Sequence, residues 1–151
     1  MLFKLHPRLA ADCHYLGDFP LCALLLSKDA NYPWYILVPR RADISEIFQL
    51  QANDQQLLKE ESLTLSERLH GAFTADKMNI AALGNMVPQL HIHHIVRYKT
   101  DVAWPKPIWE VAEAKQYSEK LLTQRILQTN QLLDGSAFVP RPITPKEAPS
   151  D

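Results

Sequence analysis

Three strand-like segments near the start of the chain are joined by connections too short for a crossover helix. The apolar residues 21–26 lie between a short strand-like segment at residues 12–16 and an aromatic, partly β-branched segment at residues 34–38. Residues 17–20, Gly-Asp-Phe-Pro, favour a turn, because glycine tolerates a positive φ and proline fixes its own φ. Parallel strands need a crossover of about a dozen residues or more, whereas antiparallel strands need only a short turn. The three segments therefore predict an antiparallel meander.

The rest of the chain alternates between helical and strand patterns. Apolar residues recur on one helical face of residues 54–73, which predicts a long helix there, at Leu58, Leu65, Leu69 and Phe73. Shorter patterns predict a short helix, two strands and a final helix, at residues 44–50, 78–83, 89–98 and 110–133 in that order. This order of elements predicts an α+β fold with an antiparallel sheet, one long helix and a C-terminal helix.

The length and charge of the chain limit its organisation and its partners. With 151 residues and 46% hydrophobic residues, it is long enough for one domain with a real core. The net charge of −1 gives no electrostatic reason to expect nucleic acid or an anionic membrane as the partner. Prolines concentrate near the end of the chain, which predicts a flexible tail at residues 139–151 after a domain at residues 1–138.

The number of cysteines and the length of the apolar segments bear on the cellular location of the protein. Cys13 and Cys22 are too few for the disulfide framework of a small secreted protein, and we interpret them as reduced thiols in a core. The alternative, a metal site of Cys13 and His14, lacks a C-x-x-C partner. The apolar residues 21–26 are far shorter than the roughly 20 residues that cross a bilayer. We therefore expect a soluble, cytoplasmic protein.

Residues 89–97, Q-L-H-I-H-H-I-V-R, hold three of the six histidines of the chain. Side chains on a strand alternate between faces, so Gln89, His91 and His93 share one face and His94 lies on the other. Three interpretations are open. The imidazoles line a half-buried sheet face with hydrogen-bond partners, or His91 and His93 bind a metal ion, or one imidazole is a nucleophile that its neighbours orient.

The longer segment at residues 84–97, G-N-M-V-P-Q-L-H-I-H-H-I-V-R, resembles the signature of the histidine triad (HIT) superfamily of nucleotide hydrolases and transferases. In this register Gln89 takes the first histidine position, His91 the central one and His93 the third. The segment W-Y-I-L-V-P-R-R, residues 34–41, resembles the family's strand that ends in a proline and a basic residue. The resemblance covers about residues 13–97 and implies a HIT-like fold.

The resemblance also implies a reaction. His91 would attack the α-phosphorus of a nucleotide to form a nucleotidyl-histidine intermediate, His93 would stabilise charge on the phosphate, and Gln89 would supply an amide donor. Substrate contacts would fall on five further residues, Ser27, Asn79, Gly84, Asn85 and Met86, with a simple turn serine as the alternative for Ser27. The family implies a dinucleoside polyphosphate or a nucleoside phosphoramidate as substrate, a homodimer, and no required metal or cofactor.

Two positions depart from the family pattern. Gln89 cannot act as a general acid or base, although some branches of the superfamily carry glutamine at a flanking position and remain active. Met86 stands where a serine or threonine often contacts the leaving group, and methionine cannot donate that hydrogen bond. Two alternatives therefore stay open: a metal-dependent enzyme with His91 and His93 as ligands, and a nucleotide-binding protein that has lost turnover.

Overall fold

The computed structural model describes residues 2–142 as one antiparallel sheet with helices. The helices are α1 (Pro7–Asp12), α2 (Ala52–Phe73) and α3 (Glu119–Leu132), and a 3₁₀ turn covers Ile47–Gln49. The strands are β1 (Cys13–Asp18), β2 (Cys22–Ser27), β3 (Trp34–Pro39), β4 (Lys77–Ala81), β5 (Ile92–Arg97) and β6 (Val139–Pro140). The six strands lie in the order β4-β5-β3-β2-β1-β6, and all neighbours are antiparallel. The predicted α+β fold is confirmed.

The predicted meander is present as β1, β2 and β3. Leu24 of β2 lies opposite Leu37 of β3, and Cys13 of β1 lies opposite Ser27 of β2. At Gly17 the close approach of β6 requires glycine, because a Cβ atom there would lie 2.3 Å from the carbonyl oxygen of Val139. Residues 139–140, which we expected in the tail, thus pair with β1. Residues 143–151 of that predicted tail lie outside the described residues.

The two faces of the sheet have different cores. One face packs against α2 and α3, with Leu65 and Leu69 fully buried on the predicted face of the long helix. Each leucine buried in this way contributes roughly 1.5–3 kcal/mol relative to an exposed one. The opposite face carries a smaller apolar cluster that includes Leu9 of α1 and Ile36 of β3. None of the described helices is both long enough and apolar enough to span a bilayer.

The predicted helix at residues 110–133 was wrong at its start. The backbone before α3 is held by the loop between β2 and β3, where Lys115 N donates to Asp29 Oδ1 and Asn31 Nδ2 donates to Glu113 O. The helix begins only after Ser118, whose side chain caps it by accepting from Leu121 N. The residues before Ser118 have helical spacing in the sequence but do not form a helix, because tertiary hydrogen bonds hold their backbone in another conformation.

Two other helical segments also differ from the sequence prediction. The short helix expected at residues 44–50 is a single 3₁₀ turn, Ile47–Gln49. The helix α1 was not predicted, because only six residues form it and its end is capped unusually, by His6 Nδ1 accepting from Arg8 N. These six residues matter, since α1 packs on the sheet face that carries His91 and His93.

Candidate active site

The side chains of β5 separate as strand alternation predicts. His94 is fully buried and its Nε2 lies 2.7 Å from Ser62 Oγ of α2, on the helix-covered face. His91 and His93 therefore lie on the opposite face, where they line a cleft of about 380 Å³. The other lining residues come from α1, the strands β1, β2 and β3, the loop before β5 and the segment before α3: Arg8, Leu9, Asp12, Cys13, Ser27, Trp34, Ile36, Leu83, Gly84, Asn85, Met86, Val87 and Trp109.

His91 lies just before β5 with one ring nitrogen committed to the backbone. Its Nδ1 is 2.7 Å from the carbonyl oxygen of Gln89. A carbonyl can only accept, so His91 Nδ1 carries a proton and donates it, and in the neutral ring Nε2 has the lone pair. This is the tautomer that a nucleophilic imidazole requires.

His93 is buried beside His91 among aromatic rings. Its ring centroid lies 5.0 Å from that of His91 and 5.1 Å from that of Trp109. Burial, helped by the nearby His91 and His94, lowers the pKa of His93 to about 3. His93 is therefore neutral at physiological pH.

His94 has a structural role in the core. Its Nδ1 lies 3.0 Å from the carbonyl oxygen of Ile92 and must donate, so Nε2 accepts from the hydroxyl of Ser62. Burial lowers the pKa of His94 to about 4, although the hydrogen bond to Ile92 opposes that shift. Both nitrogens are satisfied, so His94 takes no part in the cleft.

Stability should fall as the pH is lowered, because the unfolded chain binds a proton on His94 that the folded protein excludes. With the pKa lowered from 6.5 to about 4, this stabilisation is complete above about pH 6.5 and is lost progressively towards pH 4, by up to ~1.4 kcal/mol per pH unit. Urea unfolding between about pH 7 and pH 5 should give a shallower pH dependence for His94→Gln than for wild type. His70→Gln, at an exposed position of α2, should keep the wild-type dependence; equal slopes for both variants would contradict the assignment.

The loop before β5 forms one wall of the cleft. Gly84 has a φ of +73°, in the left-handed region that glycine adopts at no steric cost, and the chain turns there towards His91. Asn85 follows it, and the side chain of Met86 lies at the rim, 73% exposed. The three loop residues expected at the substrate thus lie next to the two histidines.

Ser27 and Cys13 lie on facing strands at the far side of the cleft. Ser27 lines the cleft and its Oγ also accepts from Asp29 N at 3.2 Å, so the same serine stabilises the turn after β2. Burial, with a smaller contribution from Asp12, raises the pKa of Cys13 to about 12. Cys13 is therefore a protonated thiol and not a nucleophile.

Gln89 and Asn79 are held by protein neighbours and do not line the cleft. The Gln89 side chain binds the N-terminal segment, with Oε1 accepting from His6 N and Nε2 donating to Lys4 O, each at 2.9 Å. One amide N–H remains for the phosphate contact expected of Gln89. Asn79 Oδ1 accepts from Arg97 Nη1 at 2.7 Å, which leaves its amide nitrogen for any substrate.

A family model described as the HIT domain matches residues 8–100, well over half of the chain. The chain belongs to the histidine triad family. Among curated proteins none matches the sequence. Membership supports a nucleotide-binding or hydrolase role for this histidine triad protein.

Solved structures of other histidine triad proteins are similar over almost the whole fold. One from Marinobacter aquaeolei VT8 is 50% identical, with a TM-score of 0.86 over 89% of this chain and 98% of that chain. One from Bradyrhizobium japonicum is 43% identical, with a TM-score of 0.85 over 87% and 98% of the two chains. One from Sinorhizobium meliloti 1021 is 40% identical, with a TM-score of 0.84 over 87% and 97%.

Sequence reasoning missed the residues that reach the histidine triad cleft from distant parts of the chain. Arg8, Leu9 and Asp12 come from the unpredicted helix α1, and Trp109 comes from the segment just before the helix predicted at residues 110–133. Trp34 was placed on a strand without a role. Pairing β3 with β5 and noting which side chains share a sheet face would have placed Trp34 beside His93, because Trp34 lies opposite Ile95.

The metal interpretation of His91 and His93 lacks further ligands. Within residues 2–142, no group of three or more histidine, cysteine, aspartate or glutamate side chains is arranged to hold a metal ion. A structural zinc site has four protein ligands, and a catalytic one has three protein ligands and a water. Two imidazoles alone would bind a metal ion weakly.

Proposed function

We propose that this protein is a nucleotide hydrolase or nucleotidyl transferase that acts at the α-phosphate through a nucleotidyl-histidine intermediate on His91. The observation that carries the proposal is the hydrogen bond of 2.7 Å between His91 Nδ1 and the carbonyl oxygen of Gln89. It leaves the Nε2 lone pair of His91 as a nucleophile beside a cleft large enough for a nucleotide. Membership of the histidine triad family supports a nucleotide as the ligand.

The proposed reaction has two steps. In the first, His91 Nε2 forms a bond to the α-phosphorus, the bond from that phosphorus to the leaving group breaks, and the electron pair departs with the leaving group. The positive charge that develops on the ring is stabilised by donation from Nδ1–H to the Gln89 carbonyl. In the second, water bonds to the phosphorus and loses a proton to solvent, and the N–P bond breaks to restore the lone pair of His91. Another acceptor in place of water gives transfer.

The remaining cleft residues suit the parts of a nucleotide. The backbone of residues 84–86 turns beside His91, where N–H groups of a glycine-led loop can bind phosphate oxygens. Ser27 lines the cleft at the end of β2, and we propose that it contacts ribose. Leu9, Ile36 and Trp109 give apolar walls for a base. We propose a dinucleoside polyphosphate or a nucleoside phosphoramidate as the substrate.

The assembly and the compartment are part of the same proposal. The strand β4 lies at the edge of the sheet, and its Ile80 is half exposed. An unpaired sheet edge is a ready template for another strand, which favours a homodimer formed by a second copy of the chain. Both cysteines are free and buried, which suits the reducing conditions of the cytoplasm.

Hydrolysis assays with and without EDTA should separate the proposed mechanism from metal catalysis. Purified protein should hydrolyse diadenosine tetraphosphate or adenosine 5′-phosphoramidate at the same rate in both conditions, because a histidine nucleophile needs no bound metal ion. Activity that is lost with EDTA and restored by added zinc would favour the metal interpretation. Tight binding of AMP without hydrolysis of either substrate would favour a binding protein.

A further inference from the structure

The second histidine of the cleft receives a hydrogen bond from a tryptophan. Trp34 Nε1 lies 3.0 Å from His93 Nδ1. An indole N–H donates and cannot accept. His93 Nδ1 must therefore accept with its lone pair, so the proton of the neutral imidazole is on Nε2. This is the opposite of His91, whose Nδ1 donates to a carbonyl.

We propose that Trp34 is a positioning residue that fixes the tautomer of His93, so that His93 offers an Nε2–H donor, and not a lone pair, to an anionic group in the cleft. Within the described residues, His93 Nε2 has no protein hydrogen-bond partner, and His93 lines the cleft. Nε2 is thus the nitrogen available to a ligand.

The sheet builds this contact from two neighbouring strands. Trp34 of β3 lies opposite Ile95 of β5, two residues along from His93 and on the same face. Diagonal neighbours at this spacing are within reach of large side chains. Trp109 packs edge-on against the Trp34 ring, with ring centroids 6.2 Å apart. The hydrogen bond is therefore set by the register of β3 and β5.

Burial supports the same assignment. The pKa of His93 is lowered first by burial and then by the neighbouring charges of His91 and His94. An imidazolium donates from both nitrogens, so protonation of His93 would also break its bond with Trp34. In the unliganded cleft His93 is thus a neutral ring with one donor, Nε2–H.

The two histidines then have complementary roles in the proposed reaction, on which this part of the inference rests. His91 Nε2 attacks phosphorus with a lone pair, while His93 Nε2–H stabilises a phosphate oxygen as charge develops on it. A lone pair at His93 Nε2 would instead repel that oxygen. Trp34 touches no substrate in this scheme and acts through His93.

Nitrogen-15 NMR of histidine-labelled protein near neutral pH tests the tautomer directly. The His93 signals can be assigned by their loss in His93→Asn. We expect a protonated Nε2 and an unprotonated, hydrogen-bonded Nδ1 in wild type. In Trp34→Phe, which keeps an aromatic ring on the sheet, the Nδ1 signal should shift to that of a nitrogen without a donor, and the Nδ1–H tautomer should gain population. A protonated Nδ1 in wild type, or an unchanged spectrum in Trp34→Phe, would overturn the proposal.

Trp109→Phe is the matched control for this spectrum. The Trp109 ring also packs against His93, yet no hydrogen bond joins the two among the described residues. Loss of packing alone would alter both variants, whereas loss of the donor should alter only Trp34→Phe. Equal changes in the two variants would overturn the tautomer assignment.

Kinetics test the positioning role separately. With diadenosine tetraphosphate, Trp34→Phe should lower kcat by roughly 5–10-fold, the value of about one hydrogen bond, with a smaller change in KM. An unchanged kcat beside an altered His93 spectrum would overturn the positioning role. If wild type shows the expected tautomer but hydrolyses nothing, the proposed function fails and the role of Trp34 in fixing the ring stands.

Discussion

Replacing His91 with alanine should reduce hydrolysis by at least about 10³-fold while leaving the fold intact. The variant removes His91 Nε2. Among the described cleft residues, this is the only imidazole nitrogen with a lone pair whose ring partner, Nδ1, donates to a backbone carbonyl. Loss of a covalent nucleophile costs several orders of magnitude in kcat, because neighbouring groups cannot take over bond formation. The measurement is kcat and KM with the better of the two nucleotide substrates, with circular dichroism as the check on folding.

His70→Ala is the matched control for this variant. It removes another histidine, but from an exposed position on α2 and outside the cleft. Wild-type rates are expected for His70→Ala. A His91→Ala enzyme that kept its rate within tenfold of wild type would exclude His91 as the nucleophile.

Asp101→Asn should lower the free energy of unfolding by roughly 3–5 kcal/mol. Arg97 at the end of β5 is 1% exposed, and its guanidinium donates to both carboxylate oxygens of Asp101 at 2.7 and 3.0 Å. Stacking on Tyr32 and Trp104 does not replace a counter-ion. Asparagine would leave the guanidinium buried without a full negative partner. Urea or thermal unfolding above about pH 6 measures the loss.

Asp12→Asn provides the comparison for a surface ion pair. Asp12 pairs with Arg8 at 3.8 Å, with 68% and 54% of the two side chains exposed. Solvent screens such a pair, so its loss should cost less than about 1 kcal/mol. Similar decreases in the free energy of unfolding for Asp101→Asn and Asp12→Asn would contradict a strongly stabilising role of the buried Arg97–Asp101 pair.

Acid should weaken the Arg97–Asp101 pair as well. Burial alone would raise the pKa of Asp101, but hydrogen bonds from Arg97 and from the Tyr98 backbone N–H lower it overall. A lowered carboxyl pKa contributes stability that is complete above the unfolded pKa and is lost as the pH falls below it. The stability difference between wild type and Asp101→Asn should therefore shrink at low pH.

Local sequence patterns were enough to predict the sheet and the separation of the histidines. Short connections predicted the β1–β3 meander, and the period of two put His94 on the opposite face from His91 and His93. Both inferences depend on neighbours in the chain. They hold because register on a two-faced sheet is strongly specified by burial.

The contacts that complete the site connect residues far apart in the chain, and no local pattern contains them. His6 and Gln89 are 83 residues apart, and Trp34 and His93 are 59 apart. The helical spacing before Ser118 was misleading for the same reason, since the loop at residues 29–31 holds that backbone. We expected the Gln89 side chain at the phosphate. In the fold it also binds the N-terminal segment, which no local pattern around Gln89 predicts.

Direct detection of the covalent intermediate tests the central claim. Wild-type protein is mixed briefly with substrate, quenched with denaturant under mildly alkaline conditions that preserve phosphoramidates, and analysed by intact mass and peptide mapping. We predict a mass increase of one nucleotidyl group located on His91, and none in His91→Ala. Rapid hydrolysis by wild type with no adduct on His91, or with the adduct on another residue, would contradict the account.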